Sequence, residues 1–295
     1  MTIKELSYRI TNALQPLYDP REAAAIASWY VCVRLKMERY ELALRGQEEV
    51  EAAMTAVVEQ DVEKMKAGCP LQYVLGETEF YGLPFKVSPA VLIPRQETEE
   101  LVQMVSKDAE CVMNPEKLPS KSKSVSMWDV GTGSGCIAVS LAKMLPEAEV
   151  FATDISEEAL AVARQNAELN GVGVTFARHD MADDAHLPFG EKRFDVIVSN
   201  PPYIPASDRT TMHKNVVDFE PGTALFVPDD DKLWCYRALA RLAQRSLNPG
   251  GRIYVETYHD FHDELTEMFL QHGFSNVQSI KDLNGRLRFL IIQNA

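Results

Sequence analysis

Residues 126–137 read Ser126-Met127-Trp128-Asp129-Val130-Gly131-Thr132-Gly133-Ser134-Gly135-Cys136-Ile137. An apolar run stops at three alternating glycines, and the helix-prone stretch Ile137–Leu145 follows. Glycines at a strand end let the backbone turn tightly and come close to a ligand, and a helix starting just beyond them adds free N–H groups and a partial positive charge. Two common phosphate loops are excluded. The dinucleotide fingerprint needs a glycine where Cys136 stands, and the P-loop needs a closing Gly-Lys-Ser/Thr that this turn lacks.

Downstream the alternation continues. Apolar runs EVFATD, VTFAR, FDVIVSN and RIYVETY are separated by helical stretches that include Glu157–Leu169 and Leu233–Ser246. This predicts an α/β fold, a doubly wound Rossmann-like sheet that is mostly parallel and covered by helices on both faces. At the C-terminal end NVQSIKDL and RLRFLIIQ flank Asn284-Gly285, which predicts an antiparallel hairpin with a two-residue turn.

Upstream, the polar stretch Asn114–Ser126 reads as an exposed loop, and Glu97–Val105 as a helix. The aromatic stretch around Gly82 reads as a short hairpin. Residues 1–77 are helical in pattern. One stripe holds Leu6, Ile10, Leu14 and Leu17, a second Ile26, Trp29, Tyr30 and Val33, with Trp29 expected in the core. A third runs from Val50 to Met65 and ends at Gly68-Cys69-Pro70. The expected division is a helical domain over 1–77, a hairpin linker over 78–93 and a catalytic domain over 94–295.

The composition suits two such domains: 295 residues, 46% hydrophobic and 25% charged, are ordinary globular proportions. They exclude a disordered, collagenous or coiled-coil chain. Lys4, Glu5 and Arg9 break any apolar leader, and no stretch approaches the ~18 apolar residues of a membrane span. Five cysteines, odd in number and never in C-x-x-C spacing, point to reduced thiols in a cytoplasmic protein without a zinc site. His259 and His262 follow a strand without a further ligand and are expected to be solvated capping residues. A net charge of −13 without a long basic run argues against direct nucleic-acid binding.

Chemistry enters with two motifs. Asp154 closes the second strand, 23 positions after Gly131. That is close to the ~20-residue spacing at which a carboxylate meets ribose hydroxyls. With the turn Gly131-Thr132-Gly133-Ser134-Gly135, it indicates an adenosine cofactor that has no pyrophosphate, which S-adenosylmethionine satisfies. Met181, in His179-Asp180-Met181 after the third strand, is placed against the adenine.

The second motif is Asn200-Pro201-Pro202-Tyr203, ending the buried strand FDVIVS. Two prolines remove two backbone donors and fix φ, so the carbonyls there are held rigidly. Asn200 Oδ1 and the Pro201 carbonyl suit a planar –NH2 group as acceptors, with Tyr203 stacking on the flat face; Asn200, Pro201, Pro202 and Tyr203 are expected to bind the substrate, and Asn200 to border the cofactor as well. On that reading the ring matters more than the hydroxyl, and Tyr203→Phe is expected to be mild. An amide nitrogen is a poor nucleophile because its lone pair is delocalised, as the ~18–20 kcal/mol peptide rotation barrier gauges. Fixed acceptors favour the state in which that lone pair localises. Glu220-Pro221 reads equally well as part of a peptide site or as a loop end.

With these residues quoted, the chain resembles the release factor glutamine methyltransferases, the HemK/PrmC family of class I methyltransferases. The likeness runs through CPLQYVLGETEFYGLPFKV, VLIPRQETEEL, DVGTGSGCIA, IVSNPPYIP, FEPGTALF and Asn248-Pro249-Gly250-Gly251 ahead of the fifth strand, with Gln96 where the family usually has proline. The resemblance implies methyl transfer to the glutamine of a Gly-Gly-Gln motif in peptide-chain release factors. Its further implications are a cytoplasmic monomer and a helical domain that docks the protein substrate. Weaker alternatives are a ribosomal-protein glutamine methyltransferase and a DNA adenine amino-methyltransferase.

Overall fold

The computed structural model describes residues 1–113, 124–183 and 185–294, with the side chains of 110–113 left aside. Most of the expected loop Asn114–Ser126 therefore lies outside the described residues, while Ser126 itself opens a strand. Packing divides the chain into two units, Met1–Glu77 with His213–Phe219, and Thr78–Met212 with Glu220–Ala295.

The first unit is helical: α1 (Ile3–Leu14), α2 (Pro20–Leu35), α3 (Glu41–Leu44), α4 (Ala52–Lys66) and α5 (Leu71–Leu75). Thr2 and Glu5 form a reciprocal capping box at the start of α1. Asp19 caps α2, whose first residue is proline. Leu6, Ile10 and Leu14 are buried as their spacing requires. Trp29 and Leu17 are not in the core, each being 41% exposed. Helix α2 instead turns Ala23, Ala27, Tyr30 and Val31 inward, which leaves Trp29 on its outer side, and Leu17 lies beyond the end of α1. Buried Asp61 on α4 accepts from Tyr30 Oη at 2.9 Å and from Arg34 Nη2 at 2.6 Å, tying α2 to α4.

From the boundary at Glu77 onward, β1 (Glu77–Phe80) and β2 (Leu83–Lys86) form a hairpin, and α6 (Gln96–Met113) follows. Then come β3 (Ser126–Val130), α7 (Cys136–Met144), β4 (Glu149–Asp154), α8 (Glu157–Asn170), β5 (Thr175–Arg178) and β6 (Phe194–Ser199). The short pair β7 (Ile204–Pro205) and β8 (Phe226–Val227) brackets α9 (Lys214–Phe219) of the first unit in sequence. The chain ends with α10 (Trp234–Ser246), β9 (Leu247–Glu256), α11 (His262–Gln271), β10 (Asn276–Lys281) and β11 (Leu287–Gln293).

The seven-stranded sheet has the order β10-β11-β9-β6-β3-β4-β5. Its strands β9 through β5 are parallel, and β11 runs antiparallel to both neighbours. Two apolar layers cover the sheet. One is built on Trp128, Ile197, Leu239 and Phe269, the other on Leu101, Met127, Val139 and Val198. Alternate residues of β3 and β6 thus serve opposite faces, as the two-residue period demands.

Two turns differ from expectation. The β10–β11 connection is not a two-residue turn. Gly285 N donates to the Asp282 carbonyl at 2.9 Å, and Asp282 N to the Arg286 carbonyl at 2.8 Å, so Leu283-Asn284-Gly285 form a three-residue loop. Gly285 takes the left-handed φ of +79° that this loop needs. The Asn248–Gly251 run lies inside β9 as a bulge, with the register against β6 shifting between Phe194 and Val196. A Cβ on Gly251 would sit 2.9 Å from the Asn248 carbonyl oxygen and 3.1 Å from that of Asp195, so the close approach excludes any side chain there.

Helix α6 is attached to β9 at two levels. Near its C-terminal end Asp108 Oδ2 accepts from Tyr254 Oη at 2.5 Å and from Arg252 Nη1 at 2.7 Å. Near its N-terminal end Thr98 Oγ1 donates to Glu256 Oε2 at 2.8 Å.

Candidate active site

In an open parallel sheet, ligands bind beyond the carboxyl ends of the strands, where the strand order reverses. Here that point lies between β3 and β6, which pair in parallel with Asp129 opposite Val198. Ser199 Oγ donates to the Val130 carbonyl at 2.6 Å and locks the two strand ends together. The turn after β3 and the Asn200–Tyr203 segment after β6 therefore leave the sheet side by side. A cavity of about 560 Å³ opens over them, within the range of small-molecule sites.

Gly131 through Ser134, Asp154, Met181 and Asn200 through Pro202 all line this cavity. Gly135 does not face it. A Cβ there would lie 3.0 Å from Ala163 Cβ and 3.2 Å from its Cα, and φ is +81°. Its place is to let α7 start hard against α8, the packing task of a third glycine. Gly131 N and Thr132 N both donate to the Thr153 carbonyl at 2.9 Å. Asn166 Nδ2 donates to the Ser134 carbonyl at 2.8 Å and to the Lys86 carbonyl at 2.9 Å, bracing the turn against β2.

Asp154 Oδ2 accepts from Gly133 N at 2.8 Å and Oδ1 from Ser156 N at 2.9 Å, which fixes the plane of the carboxylate at the cavity wall. Burial pushes its pKa up, while the N–H groups of Ser156 and Gly133 pull it down. Behind it, fully buried Asp129 accepts from Thr132 Oγ1 at 2.5 Å and Ala138 N at 3.3 Å. Burial outweighs those bonds and lifts its pKa to about 7.

The second segment is organised by a residue that sequence reasoning did not single out. Glu256, 1% exposed at the end of β9, accepts from Thr98 Oγ1 through Oε2 and from Tyr203 Oη at 2.9 Å through Oε1. Asn200 Nδ2 donates to Thr98 Oγ1 at 3.1 Å. Among the described residues none donates to Asn200 Oδ1, and Pro201 follows it in the cavity lining. Burial raises the pKa of Glu256, against the hydroxyls of Thr98 and Tyr203 and the charge of Arg288.

Of the described residues that line the cavity, Tyr203 is not one. Its hydroxyl is committed to Glu256, so the expectation that loss of the hydroxyl is mild gives way. Removing it strands a buried carboxylate oxygen. Its ring instead packs on the layer that includes Trp128 and Tyr236, with Tyr258 at 6.2 Å.

Glu220 is buried, accepting from Arg95 Nη2 at 2.6 Å and from Ile93 N at 3.2 Å. Arg95 lines the cavity, so Glu220 is part of the wall's support and not a mere loop end. His262 is also buried, with Nε2 at 2.8 Å from Thr257 Oγ1 and Nδ1 at 3.1 Å from Ser279 Oγ; only His259 is exposed. No group of three or more metal-ligating side chains occurs among the described residues. The cysteines whose side chains are described, Cys32, Cys69, Cys136 and Cys235, are free. Among the described residues no helix is long and apolar enough to cross a membrane.

Known proteins with this architecture can now be set beside it. A family model described as a methyltransferase domain matches residues 121–286, and one described as the PrmC N-terminal domain matches residues 6–76. The release factor glutamine methyltransferase of Flavobacterium psychrophilum is 38% identical over 292 residues, covering 98% of each chain. That of Bacteroides thetaiotaomicron is 39% identical over 281 residues, covering 95% of this chain and 96% of its own. The T. thermophilus 16S rRNA N2 G1207 methyltransferase, solved with AdoMet and guanosine, superposes with a TM-score of 0.50 at 21% identity, over 74% of this chain and 50% of its own. At that identity it speaks for the fold alone.

Proposed function

The chain belongs to the release factor glutamine methyltransferase family, and from that premise we propose that it methylates the side-chain amide nitrogen of the glutamine in the Gly-Gly-Gln motif of peptide-chain release factors. The observation that carries the reading is the Asn200 side chain, whose amide nitrogen is engaged by Thr98 while Asn200 and Pro201 both line the cavity, which leaves the amide oxygen for a ligand.

The residues fit the methyl donor as well. S-adenosylmethionine, when bound, supplies an electrophilic methyl group on a sulfonium. Asp154 is an acceptor-only group held rigidly at the wall, suited to the donor hydroxyls of a ribose. The turn Gly131-Thr132-Gly133-Ser134-Gly135 shapes the floor, and Met181 offers an apolar wall to the adenine. Asn200 Oδ1 and the Pro201 carbonyl take the two N–H groups of the incoming carboxamide and aim its nitrogen into the cavity. As the new N–C bond forms, positive charge grows on that nitrogen, and two fixed acceptors stabilise it more than they do the flat ground-state amide. The surplus proton leaves from nitrogen afterwards, so no ionisable base is required at the nitrogen. Holding two reactants in line can contribute as much as about 7–11 kcal/mol in well-oriented systems.

We assign substrate docking to the helical residues 1–77, the linker to 78–93 and catalysis to 94–295, in a cytoplasmic monomer that binds neither nucleic acid nor membrane. The charge of −13 supports the last point. The test is incubation with labelled S-adenosylmethionine and purified release factor, then mass mapping. One methyl group on the Gly-Gly-Gln glutamine is expected. Label on a ribosomal protein or on DNA adenine, with none on the release factor, overturns the reading.

A further inference from the structure

A primary carboxamide in an active site can face either way, and the wrong way here would be ruinous. With its NH2 toward the cavity, Asn200 would oppose a substrate NH2, donor against donor. Something must hold the amide in one of its two orientations. Thr98 alone does not, because a hydroxyl both donates and accepts and would satisfy either end of the amide.

Glu256 removes the ambiguity. Both its oxygens accept, one from Thr98 Oγ1 and one from Tyr203 Oη, and a carboxylate has no proton to give back. The single hydroxyl proton of Thr98 is thereby spent, and only its lone pairs remain for Asn200. Only the Nδ2 end can answer them, at 3.1 Å. The residues come from three elements: Thr98 from the first turn of α6, Glu256 from the end of β9, and Asn200 from the end of β6. Register brings the last two together, since Ser199 lies opposite Val255.

We propose that Glu256 is a positioning residue for the methyl transfer: by claiming the Thr98 hydroxyl proton, it turns the Asn200 carbonyl oxygen toward the substrate amide. The assignment rests on the function proposed above for its catalytic meaning, but the orientation itself is a property of the free protein. Glu256 touches no reacting atom and acts through Thr98.

The test has two arms. In the free protein, NMR follows solvent exchange of the Asn200 side-chain amide protons in wild type, Thr98→Val, Glu256→Gln and Thr98→Ser. Exchange should quicken by about tenfold or more in the first two variants, and Thr98→Ser, which returns a hydroxyl, should restore protection. In turnover with release factor, Thr98→Val and Glu256→Gln should lower kcat by about 10–100-fold with both KM values within about threefold, the split expected when only transition-state contacts are lost. Asn200→Asp carries an acceptor in either orientation but meets Thr98 with the proton already spent. Adding Glu256→Gln, which can donate to Thr98, should therefore speed Asn200→Asp, although the same change slows the wild type.

Circular dichroism establishes folding; if Glu256→Gln does not fold, Glu256→Asp, which keeps the charge but draws its oxygen back from Thr98, replaces it in both arms. Unchanged exchange and unchanged kcat in a folded Thr98→Val overturn the assignment, as does a further slowing of Asn200→Asp by Glu256→Gln. A wild type that transfers no methyl group sinks the proposed function, while the exchange arm still decides the orientation.

Discussion

The turn after β3 and the segment after β6 leave adjacent strands of one sheet, yet they are built by opposite means. Gly131–Gly135 is shaped by backbone: left-handed glycines, N–H groups directed to the Thr153 carbonyl, and an aspartate held by two more N–H groups. Asn200–Tyr203 has had backbone donors removed by two prolines, and side chains on distant elements hold it. In the first kind of loop bulk is excluded at Gly135, against Ala163, and open space surrounds Gly133. The second tolerates neither the loss of a hydroxyl nor the loss of a charge. On the function proposed above, one wall serves a ligand rich in donors and the other presents carbonyls to a single –NH2 group.

Substitutions can break that contrast, the strongest first. Asn200→Ala should cut kcat by about 10²–10³-fold, the usual effect of losing one preorganised polar group. Its affinity for S-adenosylmethionine by calorimetry should stay close to wild type if Gly131–Ser134 and Asp154 supply most of the cofactor contacts, as proposed above. Gly135→Ala should lower stability by about 3 kcal/mol through overpacking and a disfavoured backbone, whereas Gly133→Ala, with nothing within 4 Å of a built Cβ, should cost only about 1–2 kcal/mol. Chemical denaturation separates the two, and equal losses would show that Ala163 yields freely.

Asp154→Ala should weaken S-adenosylmethionine binding by about 10–100-fold, the worth of hydrogen bonds to a charged group, and leave the turnover of saturated enzyme less affected than Asn200→Ala does. A separate prediction concerns pH. Asp129 is raised from 3.8 to about 7 in the folded protein, chiefly by burial. Its contribution to stability is full below 3.8 and is lost as pH rises through about 7. Asp129→Asn, which keeps an acceptor for Thr132, should therefore flatten the decline in melting temperature between those pH values, and parallel curves for the two proteins would contradict the shift.

The same contrast explains what could be read from sequence. The strands and the glycine turn are local patterns, and SMWDV, EVFATD and FDVIVS appear as strands with their expected ends. Asn200-Pro201-Pro202 was legible because proline acts on its own backbone. Thr98 and Glu256 were not, since 158 positions separate them. Glu256 left one signal, a lone acid closing the apolar stretch Ile253-Tyr254-Val255, where burial demands partners. Trp29 lies outside the core because the inward face of α2 is Ala23, Ala27, Tyr30 and Val31, and two small alanines on that face give a weaker apolar signal than the indole beside them. Asn284-Gly285 marked the hairpin but not its loop length, which Asp282 sets by accepting from Asn284 N and Arg286 N.

The two-level attachment of α6 to β9 has a mechanical consequence. Asp108 and Thr98 stand about 15 Å apart along the helix at 1.5 Å per residue, and both are anchored to the one strand that ends in Glu256. Helix and strand thus behave as a truss, in which the lower brace keeps the upper joint from rocking. Asp108→Ala should therefore lower kcat modestly without altering any side chain in contact with the cavity, and an unchanged kcat in the folded variant would show the two joints to be independent.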